Sequence, residues 1–135
     1  MADERKEPIK PMDQVIREDG RYPREAYEFL NAGQARAVKQ AHGDKGDLPP
    51  GQRHVTGQQI CHALRELALE RWGLLARTVL ARWNLHSTMD FGHMIYLLIR
   101  HGLMGRTEED SLEDFQDVYD FDEALAGADH FELTE

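Results

Sequence analysis

Apolar residues recur along this chain at helical spacing, in blocks separated by glycine, proline and asparagine. Pro11 to Asp19 reads as a short helix stopped by Gly20, with Val15 and Ile16 facing inward. A second helix starts at Pro23, a residue suited to a first helical turn, and carries Ala26, Tyr27, Leu30, Ala37 and Val38 near helical spacing. Gly33 weakens its middle by about 1 kcal/mol relative to alanine. Residues 42–53, with three glycines and two consecutive prolines, predict a mobile loop. The clearest helix follows. Thr56 and Gln59 have the spacing of a capping box, and Ile60, Leu64, Leu67, Ala68 and Trp72 mark one face. Gly73 interrupts it, Leu75, Val79, Leu80 and Trp83 resume the pattern, and Asn84 ends it. Spacing alone leaves open whether this is two helices or one kinked helix.

Ser87 and Asp90 form a second capping pair ahead of Phe91, Met94, Ile95, Leu98 and Ile99, and Gly102 stops that helix. Residues 107–125 place Leu112, Phe115, Val118, Tyr119 and Leu125 on a narrow apolar edge of an acidic segment, which predicts a helix broken near Tyr119. Phe131 and Leu133 alternate with polar residues, as in a short C-terminal strand. The expectation is a mainly α fold: one domain over residues 1–135, a small bundle of five or six helices, with helix-turn-helix-like packing in the middle.

Charge changes this picture at one end. The net charge is −9 over 135 residues. Residues 1–53 are balanced, residues 54–106 carry a surplus of three positive charges, and residues 107–135 hold twelve acidic side chains with no Lys or Arg. Such a tail lies on its own basic segment, is offered to a basic partner, or is simply solvated. Cys61 is the lone cysteine, which excludes an intramolecular disulfide and a multi-cysteine zinc site. The longest apolar run, Met94 to Ile99, is far too short for a membrane span, and MADERKEPIKPM lacks the apolar core of a secretory signal. A cytoplasmic location is expected.

Candidate chemistry is sparse. A helix-turn-helix would pair LLARTVLARW with STMDFGHMIYLLIRHG, yet the second helix offers Met89, Asp90, Gly92, His93 and Tyr96 where base-reading and phosphate-binding groups are needed. His86, Asp90 and His93 stand at i, i+4 and i+7, a spacing that suits two imidazoles and a carboxylate on one metal, although Asp90 also serves as a cap. Cys61 and His62 are adjacent on a helix and so point about 100° apart, a poor arrangement for a nucleophile and its base. Asp90-Phe91-Gly92 matches a kinase metal motif in letters only, without the rest of that fold's signature. The acidic run has no EF-hand spacing.

Several blocks taken together are distinctive: EDGRYPREAYEFL, HVTGQ, LARTVLARW, STMDFGHMIYLLIRHGLM and TEEDSLEDFQDVYDF, spread over residues 18–121. As a set they resemble an uncharacterised family of small bacterial proteins. The resemblance implies a bacterial cytoplasmic domain and carries no catalytic residues with it. Residues 40–53 and the last ten lie outside the similar blocks.

These readings converge on a non-enzymatic interaction or regulatory domain with a protein partner, no catalytic residue, no cofactor and no metal assigned. Arg21 and Tyr22 in the connector, and Phe115, Tyr119 and Phe121 among the tail acids, have the composition of interface anchors. The opposing reading packs Tyr22 ahead of Pro23 and lays the acidic segment on the chain's own arginines. Three other functions stay open. A nucleic-acid- or ribosome-associated regulator needs the middle arginines in one exposed patch. A small metal-dependent enzyme needs His86, His93 or His101 to meet a carboxylate in a cleft. A DNA-mimicking inhibitor needs tail acids spaced like phosphates.

Overall fold

The computed structural model describes residues 10–43, 54–104 and 111–126. Five α-helices, a short helical turn and two 3-10 turns make up these residues, with no strand among them. The helices are α1 (Met12–Asp19), α2 (Arg24–His42), α3 (Gly57–Trp72), α4 (Ala76–Arg82) and α5 (Thr88–Arg100), and α6 (Phe121–Ala124) is the short turn. The mainly helical architecture is the one the hydrophobic spacing predicts. The expected strand near Phe131 lies outside the described residues, as does nearly all of the expected 42–53 loop.

Helix ends follow the local chemistry. Thr56 accepts the Gln59 amide at 3.0 Å while the Gln59 side chain accepts the Thr56 amide at 2.8 Å, so two otherwise orphaned donors are satisfied reciprocally. Asp90 does the equivalent for α5, its Oδ2 accepting from the amides of His86 at 2.7 Å and Ser87 at 3.1 Å. At the far end of α5, Gly102 takes φ 75° and the amide of Leu103 reaches back to the carbonyl of Leu98 at 2.8 Å. The same closing geometry ends α4: Leu85 donates to Leu80 at 2.9 Å around Asn84, which adopts φ 66°. Gly73, at φ 51°, separates α3 from α4 through a 3-10 turn, which makes them two helices.

The core is built on an aromatic chain. The Phe29 ring lies 5.3 Å from Trp72, 5.9 Å from Trp83 and 6.5 Å from Phe91, linking α2 to α3, the end of α4 and α5. Gly33 has a packing reason to interrupt α2, because a Cβ there would overlap Leu64 of α3. Leu75, expected on the apolar face, is instead 62% exposed beside Leu74 in the 3-10 turn.

The acidic segment departs from its expected helix. Leu112–Phe115 forms a 3-10 turn, Asp117 takes φ 51°, and α6 follows only at Phe121. Thr88, buried at the start of α5, explains this. Its hydroxyl donates to the Phe115 carbonyl at 2.6 Å and accepts the Val118 amide at 3.2 Å, capturing backbone groups that a helix would use.

Candidate functional site

α1 ends at Gly20, and the Arg21–Pro23 connector turns the chain into α2. Opposite it, the left-handed Asn84 ends α4. A groove of about 610 Å³ lies between these two chain reversals, lined by residues of α1, the connector, the start of α2 and the end of α4. Arg17, Arg21, Arg24 and Arg82 all line it, against one lining carboxylate, Asp13. Half-buried Trp83 supplies apolar surface, with the buried Ile16 and Tyr22 beneath the floor.

The connector wall is held on two sides. Tyr22 donates its hydroxyl to Asp90 Oδ1 at 2.6 Å, fixing the connector to the start of α5. The Asn84 side-chain amide donates to the Arg21 carbonyl at 3.1 Å, and the His86 ring meets the Asn84 oxygen at 3.2 Å. Burial, with the Asp90 hydrogen bond second, pushes the Tyr22 hydroxyl pKa well up, so the phenol stays protonated. The connector wall is therefore held both to the start of α5 and to the end of α4.

Its four arginines are not equivalent. Arg21 stacks on Tyr22 with its guanidinium carbon 5.6 Å from the ring centre and pairs with Asp19 at 3.1 Å; the Asp19 hydrogen bond raises its pKa further. Arg24 lies 3.2 Å from Glu28 and 3.6 Å from Asp13. Arg17 and Arg82 make no ion pair within 4.0 Å among the described residues. Such a lining can bind and orient an anion.

The residues singled out in sequence as interface anchors are placed differently. Arg21 is exposed and belongs to the groove. Tyr22 is only 4% exposed, so it anchors the connector to its own domain. Phe115 and Phe121 are buried in the core. Phe115 fills the space between Gly57 and Gly92, where a Cβ on either glycine would come within 2.9 Å of its side chain. Phe121 stacks near Phe91 at 5.8 Å and Tyr119 at 6.0 Å. Tyr119 is half-buried and donates to the Cys61 carbonyl at 2.6 Å. Phe115 and Phe121 thus turn into their own domain, and Tyr119 does so in part. Arg77 pairs with Asp122 at 3.0 Å and Arg65 donates to the Ala124 carbonyl at 2.9 Å, the intramolecular docking that was the opposing reading.

The histidine spacing does not close into a metal site. His93 lies 4.0 Å from Asp90, but the His86 ring turns to Asn84, and no group of three metal-binding side chains forms among the described residues. Burial pushes the Cys61 thiol up to about 12, the reverse of what a nucleophile needs. Of the middle arginines, Arg65 and Arg77 are engaged by the C-terminal segment. α5 buries Phe91, Met94, Ile95, Leu97 and Leu98, which leaves little of it free to enter a nucleic-acid groove. No helix among the described residues is long and apolar enough to cross a membrane.

Arg17, Arg24, Arg82 and Trp83 were missed in the sequence. The signal for the first two was present, as Arg17, Arg21 and Arg24 stand at i, i+4 and i+7 around a glycine stop. Nothing local joins them to Arg82. No family model, curated protein or solved structure matches this chain.

Proposed function

We propose that this chain is a non-enzymatic interaction domain that docks a partner protein in the groove between α1 and the end of α4. The observation that carries the reading is the concentration of four arginines with Trp83 on one groove whose connector wall is held on two sides. A held wall lowers the ordering cost of binding, and arginine beside an aromatic is a common composition of interface anchors. The resemblance to small bacterial proteins supports a bacterial cytoplasm as the setting.

The experiment is affinity capture from a bacterial lysate with the full chain, nuclease-treated and untreated, comparing wild type with Arg82→Glu and Arg71→Glu. Arg71 is exposed and lies outside the groove, so it controls for general charge. A stoichiometric protein that survives nuclease, is lost with Arg82→Glu and is kept with Arg71→Glu supports the reading. Capture that disappears with nuclease transfers the groove to a nucleic-acid-associated role, and capture indifferent to Arg82→Glu places the interface elsewhere.

A further inference from the structure

We infer that the segment taken by this groove is acidic, and that its carboxylates seat between Arg17 of α1 and Arg82 of α4. The inference rests on the groove being the docking surface and adds the chemistry of the occupant. Arg21 and Arg24 already have carboxylate partners in Asp19, Asp13 and Glu28. Arg17 and Arg82 make neither an ion pair nor a side-chain hydrogen bond among the described residues, and they approach the same space from different helices. An anion between them gains charge-assisted hydrogen bonds without breaking an internal pair.

The size and lining of the space select the kind of anion. A volume of about 610 Å³ holds several side chains and exceeds the needs of an inorganic ion. Half-buried Trp83 would keep its open face beside such an ion, whereas a peptide with an apolar residue next to its acids covers it. A nucleic acid is the poorer fit. It asks for basic surface along its length, and outside the groove Arg36 is bound to Glu70, Arg65 to the Ala124 carbonyl and Arg77 to Asp122. Screening over about 8 Å at physiological salt also lets a short acidic segment respond to the groove in spite of the chain's net negative charge.

The test is fluorescence polarisation of a fluorescein-labelled octapeptide of six Glu and two Leu, titrated with the full chain. A Lys-for-Glu peptide and a labelled single-stranded oligonucleotide serve as comparison probes. Saturable binding of the acidic peptide is expected, weakened about ten-fold or more by Arg17→Gln with Arg82→Gln and about two-fold by Arg24→Gln, whose charge is already partly compensated. Arg71→Gln leaves it unchanged. Far-ultraviolet circular dichroism confirms folding of each variant, and both key arginines are exposed enough for Gln to be tolerated. Equal weakening by Arg71→Gln and by the groove pair overturns the seating, because it signals general charge attraction. Tighter binding of the oligonucleotide than of the acidic peptide overturns the choice of occupant. Failure of the peptide to bind, alongside capture of a protein lost with Arg82→Glu, removes the acidic occupant and leaves the docking surface standing.

Discussion

Tyr22 and Asp90 are 68 residues apart and share a 2.6 Å hydrogen bond, through which the end of the first chain reversal is held by the capping group of α5. The same carboxylate accepts the His86 and Ser87 amides, so one side chain starts a helix and fastens a groove wall. Tyr22→Phe keeps the ring and deletes one bond, at an expected cost of about 1–2 kcal/mol. Asp90→Ala removes the cap as well, at an expected cost of about 2–4 kcal/mol. Urea unfolding of both variants and of the double variant checks this. The two losses are expected to fall short of additivity by about 1 kcal/mol, because both delete the shared bond. Additive losses, or a Tyr22→Phe variant as stable as wild type, contradict the fastening role.

Phe115 and Gly92 make a second long-range fit. Alanine in mid-helix normally gains about 1 kcal/mol over glycine. At Gly92 the added Cβ comes within 2.9 Å of Leu112 and Phe115. Gly92→Ala is therefore expected to destabilise, by about 1–2 kcal/mol after relaxation. Hydrogen exchange localises the effect: the Val118 amide, which donates to Thr88, loses protection earlier than amides in α2. A stabilised Gly92→Ala variant rules the fit out.

These contacts separate what sequence discloses from what it conceals. The Thr56–Gln59 box, the Gly20 and Gly102 stops and the Pro23 start are legible because each signal and its effect lie within four residues. The acidic segment misleads because its spacing suits a helix while Thr88, from another part of the chain, takes its backbone groups. Tyr22 misleads for the same reason, since an aromatic in a connector looks free until Asp90 is placed beside it. The groove is the least legible feature, because Arg82 meets Arg17, Arg21 and Arg24 only after folding.

The C-terminal segment offers two candidate anchors of different kinds, and magnitude decides between them. The Arg77–Asp122 pair is 3.0 Å long but Asp122 is 80% exposed, a setting in which an ion pair contributes less than about 1 kcal/mol. Phe121, 3% exposed against Phe91 and Tyr119, belongs to the class whose truncation costs about 3–5 kcal/mol. Asp122→Asn is expected to shift the urea midpoint slightly and Phe121→Ala strongly. Raising salt from 50 mM to 500 mM is expected to erase the first difference and leave the second, as screening of an exposed pair requires. A large, salt-dependent loss in Asp122→Asn assigns the docking to charge.

Alkaline pH tests the burial of Cys61, whose thiol is pushed by desolvation from 9.0 up to about 12. The sign follows from which state releases its proton first. Below pH 9 the thiol is protonated in both states and its contribution is complete. Above pH 9 the unfolded chain ionises while the folded chain does not, so stability falls as pH rises toward 12, by at most about 1.4 kcal/mol per pH unit for one group. Tyr27, raised by burial from 10.0 to about 12, adds a fall of the same sign that begins about one unit later. Urea midpoints measured from pH 7 to 10.5 are expected to be level at first and then decline from near pH 9. In Cys61→Ala the decline is expected to start nearer pH 10, with only tyrosines left to drive it. A wild-type midpoint that stays level through pH 10, or an onset unmoved by Cys61→Ala, would mean that the thiol reaches solvent in the folded chain; rapid labelling by a disulfide reagent at pH 8 under native conditions would show the same.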